Sequence, residues 1–395
     1  MNNTNINLGI DLGGTKIEIA ALDFSTNNII YRHRIPSPQN VYKDTLQAIC
    51  DLIFETEKKL GLECQVGIGI PGSFCSFTNK VRNANSIWLN GKPLLSDLST
   101  ILRKSIKIEI AALDFSTNNI IYRHRIPSPQ NVYKDTLQAI SDLIFETEQK
   151  LGLECQVGIG IPGSISSLSD KVRNANSIWL NDKPLLNDLS KILRKSIKIE
   201  NDANCFTISE ATDGAGANYN SVFGVILGTG VGSGIVINQQ IVKGSNGLAG
   251  EWGHNPLPWK TKSEKESRDC WCGKKDCIEK YISGPSIEKE YLNIFGKTKP
   301  LKIIVDNGLK GDENCSLLMD QFISRVARCF ASVINFLDPD VIVIGGGLSN
   351  IERIYTDVPK IWSKWIFSGR AETKILKAMH GDSSGVRGAA WLNKN

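Results

Sequence analysis

A chain of 395 residues exceeds a single typical domain and can bury a sizeable core, and 41% hydrophobic with 22% charged residues is an ordinary globular composition. The formal net charge of +5 comes from interspersed Lys, Arg, Asp and Glu, which excludes a nucleic-acid stripe or a polybasic membrane patch. No apolar run reaches membrane-spanning length, and residues 1–5 are neither charged nor long enough to lead a signal peptide, so the expected location is the cytoplasm.

In chain order, Ile6, Leu8 and Ile10 alternate with small or polar residues, which predicts a strand. Asp11-Leu12-Gly13-Gly14-Thr15-Lys16 then turns the chain into a second strand over 17–22. Glycines let backbone N–H groups approach a phosphate, Asp11 could hold Mg²⁺ through water, and Thr15 and Lys16 add donors. A plain hairpin turn is the alternative. A third strand over 29–34 follows, then a helix over 42–60 with Leu46, Ile49, Ile53 and Leu60 at helical spacing. A buried strand over 66–70 ends in Pro71-Gly72-Ser73.

From residue 17 onward the sequence repeats itself at residue 108, an offset of 91, until Lys107 and Lys198. Ten of the 91 paired positions differ, among them Cys50/Ser141, Phe74/Ile165, Cys75/Ser166 and Gly91/Asp182. Two copies of so long a period make no solenoid. Removing one 91-residue copy from the 395 leaves 304 residues, a natural length for a two-lobed α/β protein. The short turn at Gly13-Gly14 makes 17–22 the favoured partner of the first strand. The expectation is that the crossover between copies falls at 60–63 or 79–90, with one copy's worth of chain looped out as a poorly packed appendage.

The second copy offers loops at strand ends, where α/β proteins bind ligands: Pro162-Gly163-Ser164, and Asn174-Ala175-Asn176-Ser177. A short strand over 197–200 then runs into Asn201-Asp202-Ala203-Asn204 and a helix over 206–212. A carboxylate at the end of a buried strand is placed to take a proton from a ligand, which makes Asp202 the candidate base. Helix capping is the alternative for Asn201 and Asp202. A second glycine hairpin, Gly228-Thr229-Gly230-Val231-Gly232-Ser233-Gly234, lies between strands, so it is not the dinucleotide fingerprint, which opens a helix. Gly345-Gly346-Gly347 follows a buried strand over 341–344, where bare backbone would let an adenine ring lie close. The two hairpins facing each other could grip a triphosphate.

Glu251-Trp252-Gly253-His254 precedes Cys270-Trp271-Cys272 and Cys277-Ile278-Glu279, while the rest of the ten cysteines are scattered. One imidazole and three thiolates form a closed tetrahedral set for structural Zn²⁺, with free loop thiols as the alternative. Such a site fixes a loop, and that loop carries Glu251 and Glu279, which could bind hydroxyls; His254 could donate from its second ring nitrogen.

Asp11-Leu-Gly-Gly-Thr-Lys16, Asn201-Asp-Ala-Asn204, Gly228-Thr-Gly230, Glu251-Trp-Gly-His254, the cysteine cluster with Glu279, and Gly345-Gly-Gly347 together resemble the ROK family of sugar kinases and repressors. Stretches such as 31–36, 161–165, 250–259, 338–347 and 380–391 resemble its bacterial fructokinase/mannokinase branch. The resemblance implies an actin-like (ribonuclease H-like) α/β fold of two lobes with ATP and sugar in the interlobe cleft, and a homodimer. The lobes would span 1–201, including both repeats, and 202–378 with the zinc loop, a C-terminal helix over 379–395 packing back on the first. Carried over, Asp202 is the base, and Gly163, Ser164, Asn176, Asn201, Glu251, His254 and Glu279 bind sugar. The loops at Asp11, Gly13, Gly14, Thr15, Lys16, at Gly228, Thr229, Gly230 and at Gly345, Gly346, Gly347 bind ATP with Mg²⁺, and His254, Cys270, Cys272 and Cys277 hold zinc. The implied reaction is ATP-dependent phosphorylation of a hexose at its primary 6-hydroxyl, fructose first and mannose second. An N-acetylhexosamine or glucose kinase, or a sugar- and ATP-binding protein impaired by the repeat, is the alternative. A repressor would need a helix-turn-helix ahead of the first hairpin, and five residues leave no room for one.

Overall fold

The computed structural model describes residues 6–394 apart from 14, 24–25, 27, 62–63, 71–72, 76–79, 83, 85–86, 93, 95–96, 99–106, 130–131, 167 and 176. The chain divides into two compact units, Met1–Lys107 and Ile108–Asn395. In the first, β1 (Ile6–Leu12) pairs antiparallel with β2 (Lys16–Asp23), which pairs with β3 (Asn28–Pro36). Helix α1 (Tyr42–Leu60) leads to β4 (Gln65–Gly69), which lies parallel to β1 on its other side, giving the order β3-β2-β1-β4. Ile10 sits opposite both Ile19 and Ile68. The inward face of β1 and β2 (Leu8, Ile10, Ile17, Ile19) packs on the Leu46-Ile49-Ile53 stripe of α1, and Gly61 ends that helix in the left-handed conformation. A small hairpin, β5 (Ser73–Cys75) with β6 (Lys80–Arg82), completes the unit.

The second unit begins with nearly the same residues in matching elements: β7 (Lys107–Asp114), β8 (Asn119–Pro127), α2 (Tyr133–Leu151) and β9 (Val157–Ile161). Matching hydrogen bonds recur, Tyr42 to Asp97 at 2.7 Å and Tyr133 to Asp188 at 2.8 Å, and Trp88 to Thr45 and Trp179 to Thr136, both at 3.0 Å. The hairpin β10 (Ser164–Ile165) with β11 (Val172–Arg173) and helix α3 (Leu185–Leu193) lead to β12 (Ile197–Asn201), parallel to β9. The looped-out copy expected from the sequence is therefore not what the chain forms. Each copy has its own buried core, and the two compact units part at the repeat boundary rather than within 60–90. The physical reason is local: the first strand satisfies itself across a tight turn, whereas the second copy is tied by the continuous chain to the residues that follow it.

Helix α4 (Asp202–Asp213) comes next, then β13 (Ser221–Leu227), β14 (Val231–Ile237) and β15 (Gln240–Ile241). Helices α5 (Gly284–Phe295), α6 (Leu301–Leu309) and α7 (Glu313–Leu337) precede β16 (Val341–Gly345) and β17 (Lys374–Lys377), and the sheet order is β15-β14-β13-β16-β17. Helix α8 (Ser384–Trp391) closes the unit. It lies flush on α4 and β9, since a methyl group at Gly388 would overlap the Cys205 carbonyl and one at Gly158 the Ala389 carbonyl. Buried Glu210 of α4 accepts from the N–H groups of Met379 (2.9 Å) and His380 (3.1 Å) and from the Ser384 hydroxyl (2.8 Å).

Beneath the loop that follows Trp259, Arg325 and Arg328 of α7 are almost fully buried with Glu264 and Glu290. Arg325 donates to both oxygens of Glu290 (2.6 and 2.7 Å) and to Glu264 (2.8 Å), and Arg328 to both oxygens of Glu264 (2.9 and 2.7 Å). Burial opposes the Glu264 charge, but Arg328 and Arg325 hold its carboxyl down at about 2. The stabilisation is full above its ordinary value of 4.5 and is lost as the pH falls toward 2. Glu264→Ala leaves two buried guanidiniums short of counter-charge and should cost about 3–5 kcal/mol in urea unfolding. A loss below about 1 kcal/mol would show the cluster to be well hydrated instead.

Candidate active site

Strand β12 delivers Asn201 as the N-cap of α4, its side-chain oxygen accepting from the N–H of Ala203 (2.9 Å) and Asn204 (3.3 Å). The capping alternative is thus true of Asn201, which leaves the next carboxylate for another task. Asp202 occupies the first helical position, its Oδ1 accepting from the Ala203 N–H at 2.9 Å. The side chain opens to solvent at the mouth of a cleft while protein surrounds its other sides. Burial pushes its carboxyl up to about 6, with help from the nearby Glu251 charge and against the pull of the Ala203 N–H. A carboxylate at that value is ionised at neutral pH yet basic enough to accept a proton.

The cleft gathers Ser164, Asn201, Asp202 and Glu251 from the expected sugar set and adds Glu200, Asn204, Ser233 and Lys243, which sequence reasoning missed. Glu200 is held by Lys243 (2.8 Å), Asn204 (3.0 Å) and the Asn201 N–H (2.9 Å). Ser164 Oγ and Asn204 Oδ1 are buried and take no hydrogen bond among the described residues. Gly163 lies just behind, its carbonyl accepting from Asn201 Nδ2 at 3.2 Å. Asn176 lies outside the described residues. Glu279 does not line the cleft. One of its oxygens accepts from Trp271 Nε1 (2.9 Å) and the other from the Val231 N–H (3.2 Å), so it braces the second glycine loop instead.

That loop, Gly228, Thr229 and Gly230, and the turn Gly345-Gly346-Gly347 lie at the ends of neighbouring parallel strands, with Ile226 opposite Gly345. A side chain at Gly346 would overlap the Leu227 carbonyl, so only glycine lets the two turns approach. Asp11, Gly13, Thr15 and Lys16 form the β1–β2 hairpin of the first unit, where the Gly13 N–H donates to the Lys16 carbonyl at 2.9 Å; Gly14 is not described.

The ligand atoms of His254, Cys270, Cys272 and Cys277 lie within 4.8 Å of one another. His254 Nδ1 is 3.6 Å from Cys270 Sγ, and the Cys272 and Cys277 sulfurs are 3.6 Å apart. These separations match the edges of a tetrahedron, about 3.8 Å between sulfurs bound at 2.3 Å around Zn²⁺. Burial and the neighbouring sulfurs push the Cys277 thiol up to about 12, so three thiolates sit together here only around a cation. The donor set fits structural zinc. Because Nδ1 faces the sulfurs, His254 serves the metal side, and it is not among the cleft-lining residues.

A sequence profile described as the ROK family matches residues 7–112 and 105–395. The N-acetyl-D-glucosamine kinase of Pectobacterium atrosepticum is 38% identical over 291 residues, 73% of this chain and 95% of that protein. The N-acetyl-D-glucosamine kinase of Vibrio vulnificus is 38% identical over 291 residues, 73% of this chain and 96% of that protein. Among solved structures, a ROK hexokinase from Thermus thermophilus aligns with a TM-score of 0.62 at 19% identity, covering 98% of this chain and 97% of that one. A ROK family glucokinase from Streptomyces griseus aligns at 0.51 and 20%, covering 98% and 99%. The structures establish the actin-like α/β fold. The relatives' names depart from the expected fructokinase/mannokinase branch and agree with the N-acetylhexosamine alternative.

Proposed function

The chain belongs to the ROK family, and from that membership we propose that it is an ATP-dependent sugar kinase acting on an N-acetylhexosamine, N-acetyl-D-glucosamine first. The observation that carries the reading is Asp202: a carboxylate with a raised pKa, fixed at a helix N-terminus, opening into a polar cleft. Asp202 takes the proton of the sugar's primary hydroxyl as that oxygen attacks the γ-phosphorus in line. Ser164 Oγ and Asn204 Oδ1, buried and without partners among the described residues, and the Glu251 carboxylate are suited to the sugar's remaining hydroxyls and amide. The turns at 228–230 and 345–347 supply N–H groups and bare backbone for the nucleotide, and Asp11, Thr15 and Lys16 are proposed phosphate-side groups. Mg²⁺, when bound with ATP, neutralises phosphate charge. The zinc set holds the segment that carries Glu251.

A panel of N-acetylglucosamine, N-acetylmannosamine, glucose, mannose and fructose in a coupled ADP-release assay tests the proposal. N-acetylglucosamine should have the highest kcat/KM, by about tenfold or more over fructose. Fructose at the top would return the acceptor to a plain ketohexose, and ADP release with none of the five would remove the kinase reading. Among the described residues no helix is long and apolar enough to cross a membrane.

A further inference from the structure

The repeat provides an internal control on the second unit. In the first unit β1 is the middle strand, joining β2 to β4. The residues on either side of it reappear without change: Lys16–Asp23 as Lys107–Asp114, and Gln65–Gly69 at 156–160. Yet in the second unit β7-β8 and β9-β12 are two separate two-stranded sheets, and among the described residues no strand joins β7 to β9. Burial records the same deficit. Ile17, Ile19 and Ala21 are fully buried, whereas their copies Ile108, Ile110 and Ala112 are half-buried; Ile49 of α1 is fully buried and its copy Ile140 is half-buried. The unpaired edges of β7 and β9 carry the same side chains and backbone ladder that hold β1 in the first unit.

We propose that the second unit contains a strand-accepting slot between β7 and β9, and that its occupant is the chain's own Ile6–Lys16 segment, which transfers there from β2 and β4. The tether favours the chain's own strand over a second copy's, because it makes the transfer intramolecular and independent of protein concentration. In the slot, Ile10 lies opposite Ile110 and Ile159 as it now lies opposite Ile19 and Ile68. Residues 17–106 become an insertion whose ends meet at the turn. The transfer carries Asp11, Thr15 and Lys16 into the unit that holds Asp202, so nucleotide and sugar, on the kinase reading, shift the chain toward the transferred form.

The test is disulfide trapping in the full chain. Ile10→Cys with Ile110→Cys reports the transferred form and Ile10→Cys with Ile19→Cys the present one, each oxidised mildly beside the wild type and mapped by peptide mass. The expected result is a 10–110 link within one chain whose yield rises severalfold with a non-hydrolysable ATP analogue and N-acetylglucosamine, while the 10–19 link falls. No 10–110 link under any condition, with 10–19 forming, overturns the proposal, and a 10–110 link between chains overturns the choice of occupant. The link needs no turnover, so a 10–110 link indifferent to ligands, in protein with no ADP release, would retain the exchange and remove the kinase reading. Should the paired substitutions prevent folding, deletion of 17–107 joins β1 directly to β7. That variant should keep sugar-dependent ADP release, and loss of it while the full chain remains active refutes the slot.

Discussion

Asp202→Asn should leave a folded protein whose sugar-dependent kcat is lower by about 10²–10⁴-fold. The substitution keeps the shape of the side chain, and the cap of α4 belongs to Asn201, so the helix start is preserved. What disappears is the proton acceptor. The proposed base works only when ionised, so kcat/KM should fall about tenfold per pH unit as the pH drops below about 6, where burial and Glu251 have set the Asp202 carboxyl. The residual activity of the variant should lack that acid limb. A variant within about threefold of wild type in coupled ADP release, with its acid limb intact, would remove Asp202 from the chemistry.

Stripping the metal should have the second large effect. Glu251 and His254 share one short helical turn, Glu251–His254, so a cation bound at His254 would also fix the carboxylate in the cleft. Chelation, or Cys277→Ser without chelator, should weaken sugar affinity by about tenfold or more before it alters nucleotide affinity, and should abolish hydrogen-exchange protection across residues 251–279. Freshly purified protein made with zinc present should carry about one equivalent of metal. Less than about half an equivalent, or an unchanged exchange pattern after chelation, would count against a structural zinc.

The parts legible in the sequence were those whose chemistry is local. The spacing of His254, Cys270, Cys272 and Cys277 is a ligand set before it is a structure, and Asn201-Asp202 at a strand end already implies a cleft-side acid. Glycine turns at 228 and 345 are readable as turns from composition alone, and Gly346 needs its bare backbone beside the Leu227 carbonyl. What was hidden depends on residues far apart in the chain. Glu264 meets Arg325 across 61 residues, and nothing in its neighbourhood announces an ion cluster. Glu279 reads from the sequence as a lone carboxylate, and only the fold shows it accepting from Trp271 and Val231. Lys243 joins the site through Glu200, a contact across the chain that no local pattern encodes. The division at the repeat boundary was equally invisible, because two nearly identical stretches have nearly identical local preferences and only packing separates them. Substrate choice turns on the orientation of single hydroxyls, so the relatives' names weigh more than any motif.

The seating of α8 on α4 sets a clock on how the protein is made. The helix that begins with Asp202 is buried almost all round, and Glu210 within it reaches its Ser384 partner 174 residues further along the chain. At roughly 5–20 residues per second, a ribosome needs on the order of 10–35 s to deliver that partner. For that interval the nascent helix that begins with Asp202 has an uncovered face and a buried-to-be carboxylate matched only by the Ala215 N–H, which makes it a natural client for chaperones and ties the completion of this wall of the cleft to the arrival of the C-terminal helix.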